Sequence, residues 1–205
     1  MVAGTRRTAL ALAMGAVAML GACKKGSEAS DTTGAAMAPA DTGMAANTAA
    51  TAPAATTNMT DAQILGMVLA ANRGEVDAGR TAQTKATNPQ VKAFAHDMVV
   101  DHGKMLSDAS ALAKKINVTP DSMAADSITK ANAATASALN SAPKGMTFDT
   151  TYVNGQVTGH QNTLDMVKRA EGQAQNADLK NALAHADSVV SKHLDRIKDI
   201  QGKVK

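Results

Sequence analysis

Thiols and large aromatic side chains are almost missing from this 205-residue chain. Cys23 is the only cysteine, tryptophan is absent, and Phe94, Phe148 and Tyr152 are the whole aromatic set. One thiol excludes an internal disulfide and a multi-thiolate zinc site. Three aromatics offer no platform for stacking bases, and charge gives no substitute. The formal charge of +3 includes Arg6 and Arg7; without them 19 basic residues face 18 acidic ones. A nucleic-acid partner is therefore not expected. Glutamate is also scarce: beyond residue 22 only Glu28, Glu75 and Glu171 occur. No serine or threonine sits in a nucleophile motif, and no glycine loop suggests a phosphate site, so no catalytic residue is assigned.

The apolar stretch Ala9–Leu20 is shorter than the roughly 20 residues a membrane-spanning helix needs. It follows Arg6-Arg7 and precedes Leu20-Gly21-Ala22-Cys23, a pattern that resembles a bacterial lipoprotein signal. That resemblance implies removal of residues 1–22 and acylation of Cys23. Two or three acyl chains then anchor the protein stably, making the membrane its one assigned partner. With Cys23 lipidated, no thiol is left as nucleophile or ligand. Lys24, by likeness to enterobacterial sorting, permits delivery to the outer membrane, where the protein would face the periplasm. Residues 24–59 are mostly Ala, Thr, Gly, Ser, Pro and Met with almost no large apolar residue, and no charge lies between Asp41 and Asp61. Such a segment reads as a tether with a reach of about 30–35 Å.

From residue 60 to 202 the pattern becomes helical. Thr60-Asp61-Ala62-Gln63 reads as a capping box, followed by Ile64, Val68, Ala71, Glu75, Ala78 and Ala82 on one stripe. Asn88-Pro89 ends that segment and opens a second, with Val91, Phe94, Met98, His102, Met105, Ala109, Leu112 and Ile116 inward. Asn117 and Pro120 close it. A weaker helix around Ile128–Leu139 precedes a break at Ser141–Gly145. The third strong stripe runs Phe148, Tyr152 or Val153, Gln156, His160, Leu164, Val167 and Ala170; the fourth runs Leu179, Leu183, Ala186, Val190, His193, Ile197 and Ile200. Short links within each pair and one long crossover between the second and third helices give an all-α, ferritin-like four-helix bundle.

Each stripe is interrupted by one polar residue: Glu75, His102, His160 and His193. Counted from the turns at about 1.5 Å per residue, Glu75 and His102 lie roughly 19 and 22 Å from theirs, and His160 and His193 roughly 22 and 27 Å from theirs. All four can meet in one layer. Three imidazoles and a carboxylate would hold one transition metal ion, zinc, iron or copper. The alternative is a buried hydrogen-bonded cluster that specifies packing. A di-iron site fits worse, because Glu-x-x-His is missing: Val99 precedes His102, and Val190 precedes His193, by three residues. Met98 and Met105 flank His102 and would favour Cu(I), although methionine at that spacing also fills cores. His96 and His185 fall on polar faces, and Asp101 points away from the core. Asp149 stands where a carboxylate complements a helix N-terminus.

The pattern Phe94-x-x-x-Met98-x-x-Asp101-His102, then Phe148-Asp149-x-x-Tyr152, then His160 and His193-Leu194 resembles domain-of-unknown-function family 4142. Glu75 also matches an acidic position of that family. The resemblance covers about residues 60–200 and implies an exported, ferritin-like helical domain. In its signature stand His102, Asp149, Tyr152, His160 and His193. It implies no activity. The function that follows is a lipid-anchored, non-catalytic binding or envelope-protective module. Its rivals are a ferritin-like metal-dependent oxidase or peroxidase and a purely structural partner-binding bundle.

Overall fold

Capping chemistry sets where the helices begin. The computed structural model describes residues 58–204, so the signal segment, Cys23 and nearly all of the tether lie outside the described residues. Five helices follow in order: α1 Asp61–Lys85, α2 Pro89–Lys115, α3 Asp126–Ser141, α4 Met146–Gln173 and α5 Ala177–Gln201. Thr60 Oγ1 accepts from the Gln63 amide at 3.3 Å, and Gln63 Oε1 accepts from the Thr60 amide at 2.9 Å, completing the capping box of α1. Asn88 caps α2 through the Gln90 and Val91 amides, and Asn176 caps α5 through those of Asp178 and Leu179. Asn117 ends α2 with a φ of 54°. Gly145, at φ 106°, makes the reversal into α4 that other residues rarely adopt.

The chain forms a helical bundle, without strands among the described residues. Helices α1 and α2 form one hairpin and α4 and α5 another, joined where α2 meets α5 and α1 meets α4. The crossover holds a fifth helix of 16 residues, longer than the stretch around Ile128–Leu139 that the sequence suggests. Leu139 is its only fully buried side chain, which is why its periodicity is faint. Polar contacts hold it instead: Asn132 Nδ2 donates to Ala70 O at 2.9 Å, and Lys85 Nζ donates to the Leu139 and Asn140 carbonyls at 2.6 and 2.8 Å. The preceding loop lies directly on α1, since a Cβ on Gly66 would fall 1.9 Å from Asp121 O. None of these helices is long and apolar enough to cross a membrane.

Two carboxylates clasp the hairpins reciprocally. Asp149, in the first turn of α4, accepts from the Thr87 amide at 3.0 Å, the Thr87 hydroxyl at 2.7 Å and the Asn88 amide at 2.9 Å. It therefore fastens the α1–α2 turn, beyond the dipole role expected of it. Asp61, in the first turn of α1, accepts from the Gln175 and Asn176 amides of the α4–α5 turn at 2.8 and 3.0 Å. The spacing is the same in both halves: Asp61 precedes Asn88 by 27 residues, as Asp149 precedes Asn176. Buried apolar residues fill two cores, one including Ala82, Phe94, Phe148 and Ile197, the other Ile64, Val167, Leu179 and Leu183. On α1 and α2 a polar layer at Asn72, Glu75 and His102 falls between them.

Asp149 is buried and Asp61 only partly so, so the two clasps should differ in strength. Asp149→Ala leaves two turn amides without acceptors and should cost about 2–4 kcal/mol, against about 1 kcal/mol for Asp61→Ala. Urea denaturation of the two variants beside the parent checks both values.

Candidate metal centre

Helical phase turns one histidine inward from each of three helices. His102 on α2, His160 on α4 and His193 on α5 are 2%, 1% and 6% exposed. Their ring centroids are separated by 5.7 Å (His102–His160), 5.3 Å (His102–His193) and 5.7 Å (His160–His193). One nitrogen of each ring lies within 4.8 Å of one nitrogen of both others. Phe94 forms an apolar wall, its ring 6.2 Å from His160 and 6.0 Å from His193.

The hydrogen bonds decide where each ring keeps its proton. Asn72 Nδ2 donates to Val68 O at 2.8 Å, which turns Asn72 Oδ1 toward His102 Nδ1 at 2.9 Å. An amide oxygen only accepts, so His102 donates from Nδ1. His160 Nδ1 donates to the Gln156 carbonyl at 2.9 Å, and His193 Nε2 to Asp101 Oδ2 at 2.9 Å. The remaining nitrogens, His102 Nε2, His160 Nε2 and His193 Nδ1, are buried and meet no protein partner. Three buried nitrogens are thus left without a protein partner, each on a ring whose other nitrogen is held by an oxygen. That is the arrangement of metal-binding imidazoles, whose second nitrogen is held by a carbonyl or carboxylate.

Burial favours the neutral rings this requires. It holds His102 well below the ordinary imidazole value, and the neighbouring His160 and His193 lower it further. Burial also lowers His160, partly opposed by the Glu75 carboxylate. Tyr152 is raised well above its ordinary value by burial and then by Glu75. Neutral imidazoles bind a metal without first shedding a proton.

Of the four ligands expected from sequence, the three histidines converge in one group of mutually close donor atoms. Glu75 stands beside that group, on α1, where its Oε2 accepts from Gln156 Nε2 at 2.9 Å. Asp101 needs correction: its side chain is half exposed, yet it holds His193 and is no mere surface charge. Tyr152 lies in the core, parallel to Phe148 and edge-on to Phe94, each 6.4 Å away. His96 and His185 are exposed, as expected. Asn72 had no sequence-based role. Its only signal is the four-residue spacing Val68, Asn72, Val76, an inward stripe broken by an amide.

The lowered values fix a sign for acid stability. An unfolded chain takes protons on these rings near pH 6.5, whereas folded His102 and His160 refuse them until lower pH. Stability of the metal-free protein is therefore full above pH 6.5 and falls as the pH drops below it. The slope should be at most about 1.4 kcal/mol per pH unit for each ring. Urea midpoints between about pH 7 and 5 check this, and His102→Gln should flatten the curve.

No curated protein matches the sequence. Among solved structures, CopM in the Cu(II)-bound form is similar at 14% identity with a TM-score of 0.59, over 71% of this chain and 98% of that one. CopM in the Ag-bound form, obtained by co-crystallization, is similar at 14% identity with a TM-score of 0.55, over 71% and 97%. At that identity the likeness establishes a shared fold and nothing finer. The helices, the signature residues and a match over residues 45–200 agree, and the chain belongs to the family described as Domain of unknown function (DUF4142).

Proposed function

We propose that this protein is a copper-binding helical module of the bacterial envelope. His102 Nε2, His160 Nε2 and His193 Nδ1 are its ligands. The observation that carries this reading is the set of three buried nitrogens without a protein partner, each on a ring whose other nitrogen is held by an oxygen. A merely structural histidine cluster would satisfy those atoms within the protein. Iron suits the set poorly, because no carboxylate stands in the close group and facial iron sites use one. Copper outranks zinc in affinity for nitrogen ligands, and the fold is shared with CopM, seen with Cu(II) and Ag. Met98 and Met105 lie buried on the same face of α2 as His102, one turn to either side. Two carboxylates, Glu75 and Asp101, offset the charge of a divalent ion from just outside the ligand set.

The bundle is ferritin-like in connectivity, with α3 laid across the crossover. Its role is to hold metal, not to turn over substrate. Cys23 carries the acyl anchor, and residues 24–59 tether the module to the outer membrane on its periplasmic side.

Untagged protein titrated with Cu(II) should bind one ion per chain, read by calorimetry and electron paramagnetic resonance. The His102→Ala/His160→Ala/His193→Ala variant should lose it. Asn72→Ala and Asp101→Ala remove the oxygens behind two rings and should weaken affinity about 10–100-fold. At about 100 times its dissociation constant, copper should add about 2.7 kcal/mol to the parent's stability. Equal binding by the triple variant overturns the assignment.

A further inference from the structure

The three rings are sealed from solvent, so an ion must reach them by a particular path. A groove of about 1020 Å³ runs between α1, α3 and α4. Of its ionisable lining residues, Arg73, Asp77 and Arg169 are exposed at the rim, and Glu75 is the half-buried one. Glu75 is bonded to Gln156, which also lines the groove and whose backbone carbonyl holds His160. A second donor waits there: Gln156 Oε1 is buried and without a partner, on a residue only 4% exposed. Gly155 and Gly159 contribute no side chains to this wall, and a Cβ on Gly159 would lie 3.6 Å from Glu75 Oε1.

On the opposite face of the bundle stands Asp101, itself partly exposed. There Asp101 presents the protonated edge of His193, so an ion would have to break that hydrogen bond and turn the ring. From the groove it meets oxygen donors first, which can replace its hydration waters one at a time.

We infer that the α1–α3–α4 groove is the route by which a hydrated copper ion loads the histidine centre, with Glu75 and Gln156 as its gate. The ion exchanges waters for the Glu75 carboxylate and Gln156 Oε1, the Glu75–Gln156 hydrogen bond opens, and His160 receives it. Glu75 is thus a transient donor and not a permanent ligand. The inference rests on the copper reading above.

Tyr152 is the only tyrosine and tryptophan is absent, so the chain's intrinsic emission reports from the bundle core beside this centre. Stopped-flow mixing with Cu(II), followed by Tyr152 quenching, gives the loading rate. Gly155→Leu adds bulk to the groove where no atom lies within 4 Å of the new Cβ. Gly172→Leu, equally open but outside the groove, serves as control. Gly155→Leu and Glu75→Gln should each slow loading by about tenfold or more, with dissociation constants within about threefold of the parent. Gly172→Leu should load like the parent. Parent-like loading in either groove variant overturns the route. So does a Glu75→Gln protein that loads normally but binds about tenfold more weakly, which would make Glu75 a ligand. A parent that binds no copper removes the metal reading itself, and the route with it.

Discussion

Buried imidazoles pack side by side at least cost when they are neutral and turn their protons away from one another. Everything in the central layer of this bundle serves that constraint. The outward N–H groups of His102 and His193 go to oxygens on neighbouring helices, Asn72 on α1 and Asp101 on α2. His160 uses the carbonyl one turn back in its own helix. Gln156 then reaches Glu75 on α1, so α1 meets α2, α2 meets α5, and α4 returns to α1. The polar contacts form a chain across the layer, from α5 through α2 and α1 to α4. A helix sliding by one turn would break a link of that chain and leave a buried polar group unpaired, at about 1–3 kcal/mol each. Apolar packing tolerates such slippage better, so the layer sets the helical register while the two apolar cores supply the bulk of the stability.

The same layer explains why the protein tolerates polar atoms that packing alone would reject. Orphaned lone pairs in a core are unfavourable unless something else meets them. Here they belong to three rings that stand side by side. Under the proposed copper reading, their cost is that of keeping a site ready. Glu75 and Asp101 sit far enough out to remain partly hydrated, yet near enough to act on the imidazoles.

Much of this was legible in the sequence because helices advertise their inner faces. The capping box at Thr60, the Asn88-Pro89 junction and the end of the second helix at Asn117 came from local rules that tertiary structure did not override. The shared height of His102, His160 and His193 followed from rise per residue alone. Four things were less visible. Helix α3 is held by backbone-directed hydrogen bonds from Asn132 and Lys85, which leave no apolar stripe. Asp101 was assigned to the surface because helical phase gives the direction of a Cβ, and the carboxylate extends sideways from there to His193. Asn72 was missed because a periodicity count treats an amide as a gap in a stripe, although the gap was the clue. Asp149 was read through its own helix, whereas its partners lie in a turn some sixty residues earlier.

The crossed aspartate clasps have a consequence for how the molecule comes together. Each hairpin carries, in its opening turn, the group that satisfies the other hairpin's bend. Neither bend can bury its amides until both hairpins have docked, so a lone hairpin is an incomplete unit with an exposed, fraying tip. Opening of one tip should release the other, and slow amide exchange at Thr87 and Asn176 should report a single global event in place of two local ones. The bundle is in this sense a two-part lock in which each part holds the other's key.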